Sequence, residues 1–268
     1  MRITLAATGS EVALDGSSDL LEKGGTVKQL KQLLAQQTGH SRFCLRLLNE
    51  GISLPDAQSL SDLDVQLVVL ALAPPEDEAV LRFMQACGEG DIEVVEEVLA
   101  TPVDPDLKRG VAGLHLAAQS GRREVIELLL EASADINQRS VAMFNEGWTA
   151  LHFATRNEKS EVIQLLLERG AEMLEDQQGM TPLHCACKLG KLEVVALFLN
   201  AKLDLERATQ ELLEMTPLHC AAGAGHVEIV TLLLEAKAEK DRQNTEGVSA
   251  ISYYSLTYLL TCLLTYRS

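Results

Sequence analysis

Aromatic side chains make up only 4% of this 268-residue chain, with a single tryptophan. A core cannot be built from rings, so it has to come from Leu, Val, Ile and Ala, a balance that favours helix. Positive charge is also scarce: 23 Lys and Arg stand against 39 Asp and Glu, giving a net charge of −16. Most of that acidic excess falls after residue 75, and no basic stripe exists to neutralise phosphates. Nucleic acid and anionic membrane surfaces are therefore excluded as primary ligands. The first ten residues, MRITLAATGS, carry no apolar run of the length a secretion signal needs. No strained serine elbow, phosphate-cradling glycine loop or HExxH pair occurs, and Gly24-Gly25 lacks the Lys-Ser/Thr context of a P-loop. The six cysteines lie mostly within apolar helical patterns, which points to a reducing compartment, cytoplasmic or nuclear.

What the chain does contain is repetition. GLHLAAQSGRREVIELLLEASADI, ALHFATRNEKSEVIQLLLERGAEM, PLHCACKLGKLEVVALFLNAKLDL and PLHCAAGAGHVEIVTLLLEAKAEK superimpose without gaps. Their histidines, His115, His152, His184 and His219, are 37, 32 and 35 residues apart. Each unit reads as two short helices. In Thr181-Pro182-Leu183-His184 the Thr hydroxyl can cap the first helix and the Pro takes a position where its missing N–H is harmless. Thr216-Pro217 repeats this start, and Gly121, Glu158, Gly190 and Gly225 mark the breaks between helices. The second helix carries a branched, leucine-rich face that one helix pair cannot bury alone, so the units must stack.

A period near 33 with these motifs resembles the ankyrin repeat. The resemblance covers residues 78 to 250, about two-thirds of the chain. It departs from the family pattern at Ala112-Gly113, at Glu158 and at Glu214. The array runs over residues 76–268: a capping repeat at 76–106, repeats at about 110–145, 146–178, 179–213 and 214–246, and an irregular cap at 247–268.

Residues 1–73 do not repeat. Met1 to Leu5 alternates like a strand, Glu11 to Leu14 follows a turn, and Thr26 to Leu34 has helical spacing with Thr26 as N-cap. Leu45 to Leu48 and Val65 to Leu70 read as strands. The order, with TVKQLKQLLAQQTG, LRLLNEGISL and LSDLDVQLVVLAL, resembles the β-grasp fold of ubiquitin. The expected architecture is thus an α+β N-terminal β-grasp (ubiquitin-like) domain, joined through Pro74-Pro75 to an all-α ankyrin-repeat solenoid with β-hairpin fingers. The exposed diglycine end of conjugated ubiquitin relatives is replaced by Ala71-Leu72-Ala73-Pro74-Pro75, so this domain is not conjugatable. Of the apolar patch that ubiquitin receptors read, the matching positions are Thr8, Leu48 and Val68.

His184, Cys185, Cys187, His219 and Cys220 suggest zinc, which needs four side chains converging tetrahedrally. Cys185 and Cys220 take positions filled by Leu116 and Phe153 in sister repeats, so small apolar filling is the reading, with no metal and no cofactor. The ankyrin resemblance places partner contacts in the groove and on the loops between repeats. The groove candidates are Gln119, Ser120, Arg156, Asn157, Lys188, Leu189, Gly223 and Ala224, which differ in every repeat. The loops from Asp135 to Gly147 and from Asp204 to Glu214 carry insertions with Val141, Met143, Phe144, Leu212 and Leu213, apolar residues with no evident core to fill. Met143, Phe144 and Trp148 are the expected anchors.

The expected function is a non-catalytic, monomeric adaptor that binds protein partners through fingers and groove, with ubiquitin-pathway proteins as a second class of partner. Two other readings compete with it. One is a membrane tether formed by residues after Gly247; the other is a regulatory fragment of a larger enzyme.

Overall fold

The computed structural model describes residues 2–5, 26–38, 45–49, 52–54, 64–69, 77–101, 106, 108–109, 111–201, 204–209 and 213–253. The expected strand at 11–14, Thr8, the Pro74-Pro75 junction, Leu212 and residues 254–268 lie outside them. The chain divides into two compact units, residues 1–107 with 124–135, and residues 108–123 with 136–268.

The first unit contains a four-stranded sheet with β1 (Arg2–Leu5), β2 (Leu45–Asn49), β3 (Ile52–Ser53) and β4 (Asp64–Val69) in the order β1-β4-β2-β3. β1 runs parallel to β4, with Ile3 opposite Val65, while β2 is antiparallel to both β4 and β3. A parallel pair needs a crossover; helix α1 (Val27–Thr38) lies in the stretch between β1 and β2. Thr26 caps it: the Gln29 N–H donates to Thr26 Oγ1 and the Thr26 N–H to Gln29 Oε1. Val27, Leu30 and Leu34 of α1 are buried, as are Leu45, Leu47 and Leu67 of the sheet. The period of two then puts Leu48 and Val68, both half-buried, on the opposite face from Leu47 and Leu67.

Also in this unit, α2 (Asp77–Glu89) and α3 (Ile92–Leu99) form a helix pair. Asp91 caps α3 through the Val94 N–H, and Phe83, Cys87, Val95 and Leu99 are buried. Helix α5 (Arg123–Glu131), all but its first residue, completes the unit and buries Val125, Ile126, Leu128 and Leu129.

The second unit holds a hairpin of β5 (Lys108–Arg109) and β6 (Val111–Ala112), followed by α4 (Gly113–Ser120). Three helix pairs follow: α6 (Ala150–Arg156) with α7 (Ser160–Glu168), α8 (Pro182–Leu189) with α9 (Leu192–Asn200), and α10 (Pro217–Ala224) with α11 (Val227–Glu235). First helices pack side by side in the order α4, α6, α8, α10, and second helices in the order α7, α9, α11. Between the two layers the core is mostly aliphatic, with Leu151, Ile163, Leu166, Leu183, Val195 and Leu233 at or near zero exposure beside the buried ring of Phe198. Thr181 and Thr216 accept from the N–H groups of His184 and His219, as Thr-Pro helix starts require. Where Glu158 and Glu214 replace glycine, the backbone still takes positive φ, 53° and 44°.

The fingers between pairs are less regular than the expected hairpins. Apart from β5-β6 and one antiparallel bridge between Gln243 and Ser249, their described residues form turns, each closed by an N–H to carbonyl bond: Ser140 to Trp148, Asp176 to Met180, Thr209 to Met215 and Asn244 to Val248. Seven residues, 141–147, lie inside the first closure and five, 210–214, inside the third, against three in each of the others. The two insertions expected from loop length therefore sit at fingertips.

Candidate partner-binding surface

The base of each finger is fastened by the preceding histidine. Backbone N–H groups of Ala112, Thr149, Thr181 and Thr216 reach the Nδ1 atoms of His115, His152, His184 and His219 at 2.9 to 3.3 Å. With Nδ1 accepting, the ring proton is on Nε2. Nε2 then donates to a carbonyl in the next finger: Gln138 for His115, Met180 for His152, Met215 for His184 and Val248 for His219, at 2.9 to 3.2 Å. Burial pulls the pKa of His152 and of His184 down to about 4 despite the carbonyl that favours the proton, and lowers that of His219. Both ring nitrogens are occupied, so these histidines are neutral structural ties.

The same accounting answers the metal question. Ligand atoms of His152, Asp176 and Cys185, all buried, lie within 4.8 Å of one another. His152 is already saturated. The Asp176 carboxylate accepts from the N–H groups of Gln178 and Met180 and from the Trp148 indole at 3.1 Å. Burial raises the thiols of Cys185 to about 12 and Cys220 to about 11, and pushes Cys187 well above its usual range, as expected of small apolar filler.

Above the bases, side chains reach from finger to finger. The Glu172 N–H donates to Asn137 Oδ1, Arg139 to the Glu175 carbonyl, Arg207 to the Glu175 carboxylate and Arg242 to the Glu206 carbonyl. The first two fingers also touch through the backbone, the Gln177 N–H donating to the Glu146 carbonyl. These bonds tie neighbouring fingers to one another.

A groove of about 820 Å³ opens between fingers and helices at the third and fourth repeats. The fingers contribute Gln178, Met180, Thr209, Leu213, Met215 and Glu246; the helices contribute Lys188, His219, Cys220, Gly223 and Ala224. Of the residues expected to bind, it gathers Lys188, Leu213, Gly223 and Ala224. Gln119, Arg156 and Leu189 are exposed elsewhere on the first helices. Asn157 is half-buried, its amide donating to the Phe153 carbonyl and closing its own helix. Trp148 is half-buried too: its ring stacks on His152, meets Phe153 edge-on at 5.3 Å and carries the Arg156 guanidinium 5.5 Å above it. At the first fingertip Val141, Met143 and Phe144 are 60, 86 and 92% exposed. In the turn closures Ser140 holds the place of Asp176 and Asn244, its hydroxyl accepting from the N–H two residues on as their side chains do, and Phe144 lies within the insertion.

A family model of ankyrin repeats, in three copies, matches residues 83–175 and 171–244, more than half of the sequence. The chain belongs to the ankyrin-repeat family. Over 111 residues, 37% of its length, this ankyrin-repeat protein is 38% identical to the tRNA endonuclease ANKZF1 of Mus musculus, of which the match covers 15%. Over 130 residues, 47% of its length, it is 28% identical to the probable 26S proteasome regulatory subunit p28 of Saccharomyces cerevisiae, covering 56% of that protein. A 73-residue stretch is 32% identical to the palmitoyltransferase AKR1 of the same yeast, covering 10% of it. The ankyrin-repeat protein thus spans little more than half of one relative and a small part of the others. Ankyrin repeats imply a protein-interaction role. Among the described residues no helix is long and apolar enough to cross a membrane.

Proposed function

We propose that this ankyrin-repeat protein is a non-catalytic adaptor that grips a protein segment in the groove of the third and fourth repeats and against the first fingertip. The observation that carries this reading is an apolar fingertip left exposed, Met143 and Phe144, held on the same row of fingers as the groove. Trp148, Arg156, Lys188, Leu189, Leu212 and Leu213 are the remaining contacts, with Gln119 and Asn157 at the margin. Catalysis finds little support in histidines whose nitrogens are occupied and thiols raised by burial.

Residues 1–73 are read as the second docking module, ending ahead of Pro74-Pro75. The mixed sheet with a helix between its first two described strands supports a ubiquitin-like domain, and Leu48 and Val68 on its outer face would serve as the contact. The likeness to a probable proteasome regulatory subunit makes the proteasome the first partner to try, in a cytoplasmic or nuclear setting.

The test is capture of partners on the immobilised full chain, with proteasome subunits quantified, comparing the wild type with Gly223→Gln and with the double variant Met143→Ser, Phe144→Ser. Selective loss of one captured set in both variants is the expected result. A captured set that neither variant changes would remove groove and fingertip from the interface.

A further inference from the structure

Two cations stand in register along the first helices. Four residues after each tie histidine these helices carry Gln119, Arg156, Lys188 and Gly223. Because α6 packs side by side with α8, Arg156 and Lys188 hold the same position on neighbouring helices. Both residues are exposed, and the Cys185 thiol feels both charges. Lys188 also acts on Cys220 and lines the groove of the third and fourth repeats. Packed helices run about 8–10 Å apart, which sets the spacing of the two charges.

Neither charge is spent within the array. Lys191, Arg207 and Arg242 pair with Glu158, Glu175 and Glu206, whereas among the described residues Arg156 and Lys188 have no carboxylate partner. The Arg156 guanidinium lies 5.5 Å over the Trp148 ring, which orients it without neutralising it. The buried Asp176 carboxylate is taken by the Gln178 and Met180 N–H groups and by the Trp148 indole. In a chain with 39 acidic residues against 23 basic ones, two neighbouring cations left unpaired mark a place for an anion from outside.

At the next position in the row, charge gives way to space. Gly223 has no side chain, and Met180, Leu213 and Met215 make the groove around it apolar. Glu246, on the last finger, adds an exposed acidic group to the same lining. Resting on the reading of this groove as a protein-binding site, we propose that it selects a segment carrying two carboxylate side chains two or three residues apart, beside a large apolar side chain. The carboxylates pair with Arg156 and Lys188, and the apolar side chain enters over Gly223. At about 3.3 Å per residue an extended segment spaces those carboxylates by about 7–10 Å, the spacing of the helices. Glu246 disfavours a further acidic residue beyond the apolar one.

Selection of a displayed library of random peptides on the immobilised full chain, with Gly223→Gln in parallel, tests this. Sequences enriched on the wild type should share two Asp or Glu beside a Leu, Ile, Met or Phe, and Gly223→Gln should not retain them. One such peptide, labelled with fluorescein and titrated by anisotropy, should bind more weakly as salt rises. Arg156→Glu and Lys188→Glu should each weaken it at least about tenfold, because a carboxylate then faces a carboxylate. Exchanging one acidic residue of the peptide for Lys should restore binding to Lys188→Glu, a rescue that a merely misfolded variant would not show. Lys237→Glu, an equal change of charge after α11, should leave the affinity unchanged. Enriched peptides that lack acidic residues and are lost on Gly223→Gln would overturn this specificity and keep the groove as a binding site. Enrichment of nothing, or of peptides that bind Gly223→Gln and both charge reversals as well as the wild type, would overturn both.

Discussion

The base and the tip of a finger obey opposite rules. At the base, four histidines make the same pair of bonds, to a backbone N–H behind and a carbonyl ahead, and the polar atoms involved are buried and satisfied. At the tip the fingers diverge: one carries Val141, Met143 and Phe144 in the open, while two others turn in three residues. Buried polar groups must be paired, so the base tolerates little change, whereas the tip is constrained only by closure. Stability should therefore respond to the core and base, and recognition to the tip.

The largest expected effect is in the aliphatic core that the bases hold together. Leu166→Ala, at a fully buried position, should cost about 2–5 kcal/mol in urea unfolding. A loss below about half a kcal/mol would mean that the stacked repeats do not share one core. Next is Gly147→Ala at a finger base. Its φ is +81°, and an added Cβ would lie 2.7 Å from the backbone nitrogen of Gln177. Strain and clash together should cost about 1–3 kcal/mol. A neutral result would detach the first finger from the second.

The histidine ties should make the array sensitive to acid. Unfolded, these imidazoles protonate near pH 6.5; folded, His152 and His184 resist until about 4. Between those values the unfolded chain binds more protons, so stability present above pH 6.5 is lost as the pH falls toward 4. The slope is at most about 1.4 kcal/mol per pH unit for each histidine. Urea midpoints measured across this window should fall, and His184→Gln, although less stable at neutral pH, should show a shallower fall. An unchanged slope would assign the acid sensitivity to other groups.

How much of this was legible in the sequence follows the same division. The period, the Thr-Pro helix starts and the apolar second helices are local patterns and read directly, as do the loop insertions. The ties were not visible, because each joins atoms 23 to 31 residues apart and depends on stacking. One signal could have found part of the base: Asp176 and Asn244 both stand three residues before a turn glycine and five before a Thr or Ser. Trp148, read as an anchor, has its indole N–H fastened to Asp176, a partner 28 residues away that no local pattern suggests. Leu213 and Lys188 could be ranked as contacts but not placed in one groove, since that requires knowing how the third finger folds over α8.

Gly223 sharpens the comparison because it belongs to the groove and yet lies within a helix. Among the described residues an added Cβ meets only the Tyr253 ring, at an ordinary 3.8 Å. Gly223→Ala should therefore stabilise the fold by about 0.5–1 kcal/mol through helix propensity. Gly223→Gln should fold as well as the wild type and weaken partner binding. Destabilisation by the alanine would mean that the floor of the groove is internal packing.

The smallest expected change in stability is at the tip itself. Met143 and Phe144 are 86 and 92% exposed, so replacing both with Ser removes almost no buried surface, and the melting temperature should hardly move. Insertion length does not alter this, since doubling a loop costs only about 0.6 kcal/mol. Binding should behave differently. An exposed aromatic and a flexible thioether that become buried only on contact act as interface anchors, and removing them should weaken affinity by about 1–3 kcal/mol. The effect should appear in the dissociation rate, because neither residue is charged and long-range steering is untouched. Loss of folding stability by several kcal/mol, with binding falling in proportion, would make the fingertip part of the core and erase the distinction between base and tip.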